Sequence, residues 1–211
     1  MKYVKMLGLA AVAAAALMAF VGASTASATV LCKNGTTTTT CSEKYGATTT
    51  IESKLVTGTK AKLATAFKTV ECGKSAVAGK SGDAKEGEGS ATETVKGAVT
   101  TLTFEECNCE VVVLKKGTLE VHSIAGTDNG TVTSNGAEVT VQCNETIFGK
   151  VHCIYVTENT DLGPLTGGNP AKLKAEASIP RLKTDSLCSE KANWTAEYEV
   201  TAPKPLFISA G

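Results

Sequence analysis

The sequence predicts an all-β protein: a disulfide-stapled antiparallel β-sandwich behind a cleaved signal peptide. Three observations predict it. Thr, a β-branched residue suited to pleated, half-buried positions, fills 31 of the 211 positions. The eight Cys form an even set, and all of them lie beyond residue 28. Runs of alternating polarity recur between Gly- and Asn-containing turns, which is the pattern of many short strands.

The first segment reads as an address. Lys2 and Lys5 make a short positive start, residues 6–21 are apolar and Ala-rich, and Ala26-Ser27-Ala28 fits the small-residue cleavage rule. The apolar run is about 16 residues, short of the roughly 20 needed to cross a bilayer. Residues 1–28 are therefore expected to be a signal peptide and residues 29–211 a single β-sandwich domain, with no membrane span after cleavage. Thr29-Val30-Leu31 before Cys32 does not have the order of a lipid-attachment box, so no lipid anchor is expected. Loss of Lys2 and Lys5 leaves 19 positive residues against 21 negative ones. A nucleic-acid partner, which needs a basic face, is not expected.

The strands follow in order. Residues 47–57 and 92–104 are Thr-rich candidates. Residues 61–70 and 171–179 contain good helix formers, yet Ala171, Leu173, Ala175, Ala177 and Ile179 alternate with polar residues, so both segments read as strands, the second stopped by Pro180. Thr57-Gly58 before Ala61-Lys62-Leu63 is faintly repeated by Thr166-Gly167 before Ala171-Lys172-Leu173. Residues 80–90 are Gly-rich and charged and read as a surface loop. Val111 to Leu114 and Thr118 to Ile124 flank Lys115-Lys116-Gly117, a hairpin signature. Asp128-Asn129-Gly130 and Asn135-Gly136 mark turns, because Asn and Gly accept positive φ. Residues 147–156 read as a hairpin around Gly149-Lys150. Trp194, Ala196, Tyr198 and Val200 alternate with Thr195, Glu197, Glu199 and Thr201, a strand with one buried face. Pro203-Lys204-Pro205 introduces a last edge strand at residues 206–208.

Export favours oxidation, so Cys32, Cys41, Cys72, Cys107, Cys109, Cys143, Cys153 and Cys188 are expected to form disulfides. Cys32–Cys41 and Cys143–Cys153 would close short loops, each worth about 2–3 kcal/mol. Cys107 and Cys109 point the same way from one strand and need different partners, for which Cys72 and Cys188 remain. A zinc site from Cys107, Cys109, His152 and Cys153 lacks the spacing of ribbon sites, and no metal or cofactor is expected.

Little in the sequence builds a catalytic site. The two His, His122 and His152, have no nucleophile elbow to serve. Glu105, Glu106 and Glu110 surround Cys107 and Cys109, and Glu197 and Glu199 share a strand face. A hydrolase with paired carboxylates would be built on Glu105, Glu106 or Glu110, whereas Glu197 and Glu199, opposite Trp194 and Tyr198, read as the solvated face. Tyr45, Tyr155 and Trp194 would have to be exposed around a concave face to make a ligand or glycan site.

The Ala-rich leader, Leu31-Cys32, Leu102-Thr103-Phe104 before Cys107, and Trp194-x-Ala196-x-Tyr198-x-Val200 followed by Pro203-x-Pro205-Leu206 give the chain a layout that resembles a set of uncharacterised exported, cysteine-containing proteins of actinobacteria. The resemblance covers most of the mature chain and implies no activity and no functional residues. The expected function is an exported, non-catalytic structural or interaction protein of the cell envelope or extracellular space, with a partner there. The alternatives are a small-ligand or glycan-binding module and a secreted hydrolase.

Overall fold

The computed structural model describes residues 28–35, 41–82, 94–145, 149–184 and 187–210. The expected signal segment before Ala28, and most of the expected loop at 80–90, lie outside them. The described residues form strands and no helix. None of their segments is a helix long and apolar enough to cross a membrane.

β1 (Thr29–Cys32) pairs only with β14 (Phe207–Ala210), so the last strand is an edge strand as expected. The remaining strands close into one antiparallel barrel of eight staves. The first stave is β2 (Thr50–Leu55) followed by β3 (Ala61–Ala64), which lie end to end along β4 (Thr69–Gly82). Then come β4, β5 (Thr94–Cys107), and β6 (Glu110–Lys115) continued by β7 (Thr118–Ser123). β8 (Gly130–Asn135) is continued by β9 (Glu138–Glu145), and β10 (Gly149–Val156) by β11 (Thr160–Thr166). β12 (Lys172–Thr184) and β13 (Lys191–Ala202) complete the ring, and β13 pairs back onto β2 and β3. Successive staves are neighbours throughout, which makes an up-and-down barrel.

The expected sandwich is thus replaced by a barrel. A sandwich has two sheets with four edges, whereas here the ladders run round to their start and remove most edges. Local strand signals are the same in both architectures, which is why the sequence pattern did not separate them.

Three staves are kinked at one level. The expected hairpin at Lys115-Lys116-Gly117 is a kink, because β6 pairs with β9 while β7 pairs with β5 and β8. Gly117 has φ +70°, and a Cβ there would lie 2.4 Å from both Ala137 N and Asn135 O. Only glycine fits such a crossing. Asn135-Gly136 likewise bends β8 into β9 without reversing the chain. Asp128-Asn129-Gly130 does turn, joining β7 to β8. Of the expected 147–156 hairpin, residues 147 and 148 lie outside the described residues, and Gly149 and Lys150 are already paired with Glu145 and Asn144, so they open β10 rather than form its turn. Pro180 does not stop β12. It stands opposite Lys191 at the end of the β13 ladder, and β12 then crosses to β10. Residues 61–70 split at a turn between β3 and β4, and β4 extends through residues 80–82, expected to be loop.

Four disulfides cross-link the chain: Cys32–Cys41, Cys72–Cys107, Cys109–Cys143 and Cys153–Cys188, and no described cysteine is free. Cys107 and Cys109 do take different partners, and Cys72 takes Cys107. The expected Cys143–Cys153 bond is not made. Cys143 stands opposite Val151 and Cys153 opposite Val141, so the two sulfurs are diagonal rather than facing. Diagonal neighbours are about 7–8 Å apart, beyond ordinary disulfide reach. Cys143 instead bonds Cys109 beside β6, and Cys153 bonds Cys188 before β13.

The core has three levels. Leu31, Leu206 and Ile208 of the terminal ribbon pack on Val95, Val132 and Val200 and plug one end. Leu63, Val70, Val141, Val151, Tyr155 and Ile179 fill the other end beside two of the disulfides. The middle is thinner, with Ala61, Ala175 and Ala196 among its buried residues.

Candidate site: an apolar cavity inside the barrel

The alternation that builds each stave also sets what faces inward. On β12 and β13 the inward residues at mid-height are Ala175 and Ala196, and on β3 the inward residue is Ala61. An eight-stranded barrel is just wide enough to be filled by large side chains or to hold one small ligand. Small residues at this level leave a cavity of about 130 Å³, walled by Leu63, Val99, Phe104, Val111, Leu173 and Trp194 among others. A second lobe of about 100 Å³ continues toward the terminal ribbon. Val77, Leu119, Leu173 and Tyr198 line both lobes.

Most hydroxyls on these walls are spent within the wall. Ser53 Oγ donates to Val77 O at 3.2 Å. Ser134 Oγ and Thr157 Oγ1 share a bond of 3.0 Å. The Tyr198 hydroxyl is bonded to Ser75 Oγ at 2.9 Å, and both residues are buried. Burial pushes the Tyr198 phenol up to about 12, with the Ser75 bond pulling slightly back. The Tyr155 hydroxyl is different: it is buried with no hydrogen-bond partner. Burial raises its pKa, against the opposing pull of Ser189 and Arg181. The nearby Ser189 Oγ accepts the Ala66 N–H at 2.6 Å instead. With Tyr155 the exception among these wall hydroxyls, the mostly aliphatic and aromatic lining suits an apolar occupant and gives water few partners.

The three carboxylates singled out in the sequence do come together. Glu105, Glu106 and Glu110 line one open cleft of about 460 Å³ at the β5–β6 bend, with Gln142, Asn144 and Lys150. All three are exposed. Glu106 is tied to Lys74 of β4 at 2.6 Å, and this pair holds the Lys74 ammonium above its ordinary pKa. Glu197 and Glu199 lie on the outer face, with Glu199 paired to Lys54 at 3.4 Å.

Other candidates are dispersed. His122 is half-buried on β7 with Nε2 3.4 Å from Thr133 Oγ1, and His152 is exposed on β10. Tyr155 is fully buried, Tyr45 donates to Pro205 O at the ribbon end, and Trp194 meets Phe104 edge-on at 5.4 Å inside the barrel. The three aromatics share no exposed concave face. No group of three His, Cys, Asp or Glu among the described residues could hold a metal ion.

Fold and site together define an up-and-down β-barrel with an apolar interior cavity and an acidic cleft beside one wall. The chain matches no protein-family model, no curated protein and no solved structure. Sequence reasoning missed Phe104, Val111 and Lys116 as cavity residues. The one available signal was Ala at Ala61 and Ala175, where larger inward residues would have filled the barrel.

Proposed function

We propose that this is an exported, non-catalytic binding protein that carries one small apolar molecule inside its barrel. The observation that carries the reading is the cavity of about 130 Å³, walled by aliphatic and aromatic side chains. An apolar cavity of about 150 Å³ elsewhere stays dry and takes up benzene, so one ring is the right scale of ligand. Four disulfides support a setting outside the reducing cytoplasm. The carboxylates of the outer cleft are exposed and Glu106 is already paired with Lys74, which favours a solvated surface over a catalytic pair.

Fluorobenzene tests the reading. At a free concentration about a hundred times its Kd, a single-site ligand stabilises the folded state by about 2.7 kcal/mol. That shift in the urea midpoint is expected for the wild type and is expected to vanish in Ala175→Leu, whose side chain enters the cavity. Ala61→Leu, at another alanine of the cavity wall, serves as an independent filler. A wild type that fluorobenzene does not stabilise would leave the barrel as a cross-linked scaffold only.

A further inference from the structure

We infer that the apolar ligand enters through the side of the barrel, by a slot between β5 and β6, with Phe104 and Val111 as its gate. The inference rests on the binding reading above and adds the route.

Both ends of the barrel are shut. The ribbon end is plugged by Leu206 and Ile208, which are 1% and 0% exposed, and is tied by Cys32–Cys41 and the Tyr45–Pro205 bond. The opposite end holds fully buried Tyr155 and Val151 beside Cys109–Cys143 and Cys153–Cys188. The wall is different. Among the described residues no ladder joins β5 to β6, although they are consecutive staves. β5 turns its free edge to the free edge of β6 over this stretch.

The slot has fixed ends. At the top, Val99 N–H donates to Gly117 O at 3.1 Å, and Lys116 Nζ donates to Thr100 O at 2.6 Å. At the bottom, the Cys107-Asn108-Cys109 bend is pinned to β4. Asn108 N–H donates to Glu71 O at 3.0 Å, and Asn108 Oδ1 accepts the Glu71 N–H at 2.9 Å. Cys72–Cys107 and Cys109–Cys143 then hold β5 and β6 to their outer neighbours.

Between these ends, Val99, Leu102, Phe104 and Val111 line the inner cavity yet are only half-buried. Phe104 and Val111 also line the outer cleft, and no other residue lines both. They are therefore the partition between inside and outside. Phe104 leans inward onto Trp194, so its ring can leave the slot by a side-chain rotation without breaking a ladder. Outside, Val112 and Leu114 of β6 are exposed and give an apolar approach.

The test is the exchange rate of fluorobenzene by 19F NMR on the full, oxidised protein. Lys116→Met keeps the side-chain stem but removes the tie across the slot. It is expected to raise the association rate about fivefold, the factor one ordinary hydrogen bond carries, with Kd measured alongside so that a change in affinity is separated from a change in route. Val111→Trp is expected to slow exchange by a similar factor. Tyr45→Phe, which loosens the ribbon plug, is expected to leave the rate unchanged. Exchange that responds to Tyr45→Phe and ignores Lys116→Met would overturn the side route while leaving the binding reading intact. Absence of any fluorobenzene binding by the wild type would sink both. If Val111→Trp fails to fold, the contrast between the other two variants decides.

Discussion

Chain restriction, more than packing of sulfur, should set the value of each disulfide in this barrel. The four loops lie in tandem and none encloses another, so their effects on the unfolded chain should nearly add. Cys72–Cys107 closes a separation of 35 residues and Cys32–Cys41 one of 9. The loop-entropy relation gives about 3.8 kcal/mol for the first at 25 °C and about 2.6 kcal/mol for the second. A packing account predicts the opposite order, because Cys32 and Cys41 are both buried while Cys107 is only half-buried. The perturbation is the pair of double variants Cys72→Ala/Cys107→Ala and Cys32→Ala/Cys41→Ala. The assay is urea unfolding without reductant, read as midpoint and slope. The long-loop variant should lose about 1.2 kcal/mol more than the short-loop one, with a steeper slope because its unfolded chain expands further. Equal losses, or a larger loss for Cys32→Ala/Cys41→Ala, would refute the reasoning. All four losses together come to about 14 kcal/mol, as much as the whole stability of a typical domain, so full reduction should unfold the protein.

Four further outcomes follow from individual residues. Tyr198 has a folded pKa of about 12 against 10.0 unfolded, so the folded state holds its proton more tightly. Its contribution is complete below pH 10 and is lost between pH 10 and 12, about 3 kcal/mol in all. Urea midpoints of the wild type should therefore fall more steeply over that range than those of Tyr198→Phe, and parallel curves would contradict the burial argument. At neutral pH, Tyr198→Phe should cost about 1–2 kcal/mol, because Ser75 Oγ then lacks its partner. Tyr155→Phe removes a buried hydroxyl that has no hydrogen bond, so thermal stability should hold or rise by up to about 1 kcal/mol; a clear loss would mean that the hydroxyl is bonded. Gly117→Ala combines positive φ with a 2.4 Å approach to the β8–β9 backbone and should cost more than about 3 kcal/mol by denaturant titration. A loss below about 1 kcal/mol would show that the kink relaxes.

The all-β class, the strands near 47–57, 92–104, 171–179 and 194–201, and a fully oxidised cysteine set were legible in the sequence. They depend on residue type and on a period of two, which are local properties. Hairpin against kink was not legible at Lys115-Lys116-Gly117 or Asn135-Gly136. The same glycine conformations serve a chain reversal and a bend that runs on, and only the partners of β6, β7, β8 and β9 distinguish them. The pairing of Cys143 was hidden for a similar reason: ten residues of separation suggest a loop, but the β9–β10 register leaves Cys143 and Cys153 two positions out of step.

The candidate site was less legible still. Ala175 and Ala196 were visible as inward residues, but an alanine in a strand pattern implies a void only when the staves opposite it are known. Glu105, Glu106 and Glu110 were visible as a cluster, and tertiary structure supplied what lies behind them, an unpaired slot rather than a buried catalytic pair. The sequence alone determined which residues turn inward and which sulfurs can oxidise, because both are set by short-range chemistry. Closure of the ring, the empty middle level and the gap between β5 and β6 were decided by tertiary structure, because each depends on how distant strands share their hydrogen bonds around a circumference.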